Sequence, residues 1–161
     1  MLNRFRTGLA VGMISFDFKN RTALVPDDGI HQFSASTLAT TGAAVVSILS
    51  NAFSPAVKNR FIHISDFKTS ISEILSLVEE TLGGQPWTRQ NVPVKGFYDQ
   101  SISNIEKGVF SVMEFAGVLT TPFFGGGTAW EVDDNDALGL GERRSLRDEV
   151  VALTKLYAAN A

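Results

Sequence analysis

The sequence contains no cysteine. That removes disulfides, thiolate metal sites and thiol nucleophiles together, and it fits a protein kept in a reducing compartment, so the expected location is cytoplasmic. Histidine is almost as scarce. His31 and His63 stand 32 positions apart, with no i, i+4 pair and no thiolate to join them, so no metal centre is expected. Positive charge is present but nowhere concentrated: 14 Lys and Arg against 17 Asp and Glu leave a net charge of −3. Without a basic patch to track phosphates, a nucleic-acid partner is not expected. Long apolar runs are missing too. Arg4 and Arg6 followed by Gly8 to Phe16 have the outline of an export signal, but Asp17, Lys19 and Arg21 arrive where a small-residue cleavage site belongs. Val109 to Phe124 is apolar but holds Glu114 and Pro122 and falls short of the ~20 residues a membrane helix needs, so a buried helix is the expectation. There is no internal repeat, no linker and no low-complexity tract.

What is present is enough for one domain spanning 1–161. Hydrophobic residues make up 44% of the chain and aromatics 10%, sufficient to bury a core. The most informative stretch is 59–84, NRFIHISDFKTSISEILSLVEETLGG, where the hydrophobic period changes from two to that of a helix. Phe61, Ile62 and Ile64 read as a partly buried strand over 60–64. Ser70 and Glu73 form a capping box, after which Ile71, Ile74, Leu75, Val78 and Leu82 make one apolar stripe and Gly83-Gly84 supply a left-handed stop. Glu79 and Glu80 lie off that stripe. The pair reads as a β-α unit of an α/β domain.

Taken in order, the opening segment passes without a helix cap into glycine-interrupted apolar sequence, like a chain entered midway. Thr22 to Val25 reads as a strand and Asp27-Asp28-Gly29 as a turn. Ser34 or Ser36 caps a helix whose buried face carries Leu38, Gly42, Val45 and Leu49, with Gly42 and Ala43 small enough for close packing. Trp87 to Val94 reads as a strand that Pro93 confines to an edge or an end. A short helix is expected over Ser101 to Lys107. Another, with Phe110, Met113, Gly117 and Val118 on one buried face, is expected to close before Pro122. Phe123 to Gly127 then reads as a loop, Thr128 to Val132 as a strand-like segment, and Asp133 to Asp136 as a solvated loop. Ser145 caps the last helix, with Asp148 at its third position and Leu146, Val150, Leu153 and Tyr157 as its stripe.

Four of these segments, TGLAVGMISFDFKNRTALVPDDG at 7–29, FSASTLATTGAAVVSILSN at 33–51, NRFIHIS with SISEILSLVEETLGG within 59–84, and WEVDDNDALGLGERRSLRDEVVAL at 130–153, together resemble the carboxyl-terminal portion of the NmrA-like family. These are atypical short-chain dehydrogenase relatives that include isoflavone reductase-like proteins, especially fungal ones. The resemblance implies an α/β, partial Rossmann-like fold, a few-stranded sheet with about five helices, in which the amino-terminal nucleotide-binding half is absent. It implies NADP(H) as the family's cofactor, with no binding site for it in this chain. It also implies the substrate-side part of an NAD(P)-linked oxidoreductase, inactive alone; the alternative is a non-catalytic regulatory or protein-interaction module. The family's catalytic lysine has no counterpart in Lys19, Lys58 or Lys68, so no catalytic and no cofactor-binding residue is assigned.

The remaining motifs point the same way. Gly125 to Gly127 is a glycine cluster, but a dinucleotide fingerprint needs G-x-G-x-x-G between a strand and a helix, and here a helix precedes and strand-like sequence follows. It reads as a loop, one that in family terms borders the substrate pocket. The Tyr-x-x-x-Lys pair of the dehydrogenase superfamily is missing, since Ile102 follows Tyr98 and Ala161 follows Tyr157 at that spacing, and no G-x-S-x-G elbow is present. The acidic run Asp133, Asp134, Asp136 lacks the sixth-position glycine and twelfth-position glutamate of a calcium loop, with Leu138 and Arg144 in those places. His63 is expected to point away from Ile62 and Ile64, solvated or hydrogen-bonded, and His31 lies in a loop. Among 12 phenylalanines, most of them core, the candidates for a substrate pocket are Phe16, Phe33 and Phe123, which would enclose an apolar small molecule. Uncovered, they would form an apolar patch favouring a homo-oligomer or a protein partner.

Overall fold

The computed structural model describes residues 16–124 and 128–158. The opening residues read as domain interior, the glycine cluster at 125–127 and the last three residues lie outside them. The elements in order are β1 (Phe16–Asp17), β2 (Thr22–Pro26), β3 (Phe33–Ala35), α1 (Leu38–Ser50), β4 (Phe67–Thr69), α2 (Ile71–Leu82), β5 (Thr88–Val92), α3 (Val94–Glu106), α4 (Val112–Phe124) and α5 (Leu146–Ala158). The fold is α/β, with five helices and short strands in the described residues, as expected for a partial Rossmann-like fold.

A three-stranded sheet runs β1-β2-β5, with β1 antiparallel and β5 parallel to β2. A parallel neighbour demands a long crossover, and the chain supplies it by way of β3, α1, β4 and α2. β5 has a single neighbour, so Pro93, just past its end, disturbs no ladder. β3 and β4 form a separate antiparallel pair, with Phe33 opposite Thr69 and Ala35 opposite Phe67.

The main core is the space between α2, α5 and the three-stranded sheet. Ile74, Leu75 and Val78 of α2 and Val150 and Leu153 of α5 are fully buried there with Ala23 and Val25 of β2. Both helices match the spacing of their apolar residues. Ser70 Oγ accepts from the Glu73 N–H at 3.2 Å, Gly83 closes α2 at φ 56°, and Ser145 Oγ accepts from the Asp148 N–H at 3.3 Å. The Glu73 carboxylate accepts from the Thr69 hydroxyl. Glu80 and Arg147 fasten the two helices with two parallel 2.9 Å bonds, and these hold the Glu80 carboxyl below its usual range. Gly29 takes φ +73° in the expected turn; a Cβ there would stand 2.6 Å from Ser72 Oγ. Close passage under α2 therefore requires glycine at this position.

Elsewhere the structure departs from the sequence-based expectation, at two points because a distant group intervenes. Residues 60–64 are not a strand: Phe61 is 91% exposed, and the strand lies further on, at Phe67–Thr69. Thr37, rather than Ser34 or Ser36, caps α1 through its hydroxyl, because Asp66 seizes the Thr37 N–H and fixes it at the helix start. The face of α1 expected to be buried is outward, and Ala44 is the helix's buried residue. The short helix at Ser101–Lys107 is the second half of a longer α3.

The segment expected to be a buried helix is not one, since Met113 and Phe115 on α4 and Phe110 just before it are all exposed. α4 packs on α3 through Gly117, where a Cβ would lie 2.8 Å from Ser101 Cβ and 3.2 Å from the Phe97 carbonyl. Its start was encoded in S-x-x-E at 111–114. Ser111 Oγ accepts from the Met113 N–H and donates to Glu114, which also accepts from Asn104 and is held below the usual carboxylate range by these bonds. The helix continues through Pro122 to Phe124, so the expected closure before the proline and the loop at Phe123-Phe124 are corrected. A proline this close to a helix end removes one internal bond, where in mid-helix it would also force a kink. The strand expected at Thr128–Val132 reduces to a single bridge between Thr128 and Phe33.

Candidate functional site

In open α/β sheets, ligands are held beyond the carboxyl ends of the parallel strands, so the ends of β2 and β5 define where to look. There Asp27 sits at φ 49°, its N–H donating to the Val92 carbonyl at 2.9 Å and its Oδ1 accepting from the Val94 N–H at 3.0 Å. One residue thus ends both strands and occupies a free N–H of α3. Beside it Asp28 Oδ1 accepts from the Ile30 N–H, and the Gly29 carbonyl accepts from the Ser72 N–H at 2.9 Å. His31 follows on the surface.

From this turn the chain enters β3 and reaches a polar cluster centred on Asp66. Asp66 is 3% exposed, yet its carboxylate has no cation beside it among the described residues. Three donors serve it instead: the Thr37 N–H at 2.6 Å, the Thr40 hydroxyl at 2.8 Å and the Arg144 N–H at 3.3 Å. Its own N–H donates to the Ala35 carbonyl. A buried carboxylate is tolerated when hydrogen bonds replace its lost hydration, and here they tie α1, β3 and the segment before α5 to one point.

Adjacent to this point, residues 61–65 form no strand and pair mainly with the side chains of a distant segment. The His63 N–H donates to Asp134 Oδ2 at 2.8 Å, and the His63 carbonyl accepts from the Asp134 N–H. Asn135, 2% exposed, donates its amide to the Ser65 carbonyl at 2.8 Å and accepts from the Ser65 N–H at 3.1 Å. An asparagine side chain carries one donor group and one acceptor, the same pair a neighbouring strand would offer. This is why 60–64 looks like a strand in sequence and is not one in the fold. The acidic run at 133–136, expected to be solvated, is this clamp, braced by Arg60 on Asp134 and Arg143 on Asp133. No group of three His, Asp or Glu among the described residues is arranged to hold a metal ion.

The His63 ring lies flat on Trp130, with centroids 4.1 Å apart and planes 4° from parallel. The Trp130 N–H donates to Ser34 Oγ, so the stack is fixed to β3. An imidazole used this way has one face committed to packing, while its nitrogens, in the ring plane, stay open to water on this partly exposed residue.

Of the three phenylalanines singled out from sequence, two lie together in the main core. Phe16 (2% exposed) packs edge-on to Trp87, beside Phe18 and Tyr157, and Phe33 (6%) lies in the same main core. Neither supplies exposed apolar surface, so the patch expected of them is corrected: both are already covered by the chain's own core. Phe123 falls on α4, and its side chain lies outside the described residues. Sequence reasoning missed Asp66, Asn135 and Trp130, whose partners lie roughly 30 to 100 positions away.

No family model matches the chain. It is similar to Oxidoreductase poxI of Penicillium oxalicum, and to the same protein of a second strain, at 27% identity over 148 residues, covering 87% of this chain and 45% of the relative. The chain therefore spans less than half the length of the curated relatives it matches. The relationship is to an oxidoreductase in general terms. No helix among the described residues is long and apolar enough to cross a membrane.

Proposed function

We propose that this chain is the substrate-side part of an NAD(P)-linked oxidoreductase of the NmrA-like type, shaped to enclose an apolar small molecule and without a phosphate loop of its own. The observation that carries this is the match to Oxidoreductase poxI along 148 residues, 45% of that protein. A nucleotide cofactor is in keeping with an oxidoreductase relationship, and NADP(H) is the form the NmrA-like resemblance favours. The sequence nowhere contains G-x-G-x-x-G, so no ready-made cradle for a pyrophosphate is present. The polar clamps at Asp66 and Asn135 would hold the segments bordering the ligand, with Trp130 and His63 as a flat apolar wall.

The test is direct. Purified chain mixed with NADPH and a series of ketone, aldehyde and enone acceptors is expected to consume NADPH no faster than buffer. A rate above the no-protein control would overturn this division of labour. A second reading, a non-catalytic interaction module, is favoured by the exposed apolar face of α1. It shares the absence of turnover but predicts no stabilisation by apolar enones.

A further inference from the structure

Between Asp28 and Lys58 the sequence has no Asp, Glu, Lys or Arg, although such residues make up 19% of the chain. α1 lies wholly inside this uncharged stretch, yet it is a surface helix. Ala44, Ser47 and Ile48 fix one side of it: Ala44 packs with Val57 and Leu138, and Ser47 Oγ donates to the Leu138 carbonyl at 2.8 Å. The opposite side carries Val45 (50% exposed), Val46 (66%) and Leu49 (72%), and Phe53 (90%) follows just past the helix end. At helical spacing the three helical residues fall within an arc of about 100°, and Phe53 adds exposed apolar surface just past the helix end. Gly42 lies inside that arc, and a Cβ added there would meet nothing within 4 Å.

A solvated helix face is expected to be polar, and a face with this pattern is one built to be covered. Met113 and Phe115, exposed on α4, lack this coherence, since two positions along a helix point about 200° apart.

We propose that α1 is a homodimerisation helix, its stripe of Val45, Val46, Leu49 and Phe53 packing against the same stripe of a second copy about a twofold axis. Charge selects this occupant. A twofold interface sets each residue near its own copy, so any charge on the face would meet its like; a chain of net charge −3 can associate with itself most readily through a surface that carries none. Area is consistent with it. The four side chains present on the order of 500 Å² per copy, and the exposed Thr41, Ala43 and Ser50 around them bring the total toward the ~800 Å² each partner contributes to a stable interface. Gly42 and Ala43 allow the two helix backbones to approach closely.

Sedimentation equilibrium of the purified chain from low-micromolar to sub-millimolar concentration is expected to show the mass rising from 17.4 kDa toward twice that value. Leu49→Asp and Val46→Asp, both on exposed positions, should hold it at the monomer mass throughout with an unchanged circular-dichroism spectrum. An independent readout uses the absence of native cysteine. Val46→Cys should oxidise to a disulfide-linked dimer much faster than Val132→Cys, which is 81% exposed but off this face. A wild-type chain that stays monomeric, association that survives Leu49→Asp in a folded protein, or equal cross-linking at the two cysteines would each overturn the proposal. A monomer that instead binds a different protein through α1 would overturn it too.

Discussion

Replacing Asp66 with alanine is expected to lower the unfolding free energy by about 2–3 kcal/mol, a large share of the ~5–15 kcal/mol available to a domain. The Thr40 hydroxyl can turn to Thr37 Oγ1, 3.0 Å away, and recover a bond. The Thr37 N–H, bonded to Asp66 in a buried position, is left without a partner and costs about 1–3 kcal/mol, whereas the Arg144 N–H, on an exposed residue, can turn to water. The same change frees the first turn of α1 and the segment leading into α5, so the urea midpoint should fall. Asp66→Asn keeps one acceptor oxygen and should cost less. An alanine variant within 1 kcal/mol of wild type, by urea denaturation with unchanged slope, would show that Asp66 is not the tie point described.

Asn135→Ala is expected to cost about 2–3 kcal/mol, because it strips Ser65 of both its N–H and its C=O partner in a buried position. Asn135→Asp should rescue little. It restores an acceptor for the Ser65 N–H but leaves the Ser65 carbonyl unpaired, and it adds a negative charge beside Asp133 and Asp134. Ser65 and Asp66 are neighbours, so the two alanine substitutions share one local structure and their costs should sum to less than the parts. Unfolding of the two single variants and the double variant measures this; full additivity would mean the clamps act independently.

These two residues also explain where reading the sequence succeeded and where it stopped. α2 and α5 were legible because everything that makes them is local: a serine at the cap, apolar residues on one stripe, glycine at the end of α2. The turn at Asp27 to Gly29 was legible for the same reason. Residues 60–64 were not, because strand-like alternation reports only that the backbone is extended and half-buried. Whether its N–H and C=O groups meet a strand or the side chains of Asp134 and Asn135 is decided about 70 positions away. The inversion of α1 has a similar cause. Its apolar stripe was visible, but periodicity marks a face to be covered without saying that the fold itself covers it. The start of α4 is a different case, since S-x-x-E at 111–114 is the same local signature as at 70–73 and was there to be read.

Of the candidate site, the turn at the carboxyl end of β2 was readable, and the side-chain clamps were not. Asp66 is an unremarkable acid between a serine and a phenylalanine until the Thr37 and Arg144 backbones meet it. The pattern of phenylalanines led toward Phe16 and Phe33, which serve the core shared by β1, β3, α2 and α5. The uncharged run from residue 29 to 57, in contrast, is plain in the sequence and gains meaning once α1 is seen to lie on the surface with that run upon it.

The central proposal is that this chain, related to an oxidoreductase, has no nucleotide site of its own, and a thermal melt with and without saturating NADPH tests it most directly. A ligand that binds the folded state must raise the midpoint by mass action. The account predicts one cooperative transition whose midpoint NADPH does not move, at protein concentrations on either side of dimer formation. A clear upward shift with NADPH would contradict it, placing a dinucleotide site within these 161 residues.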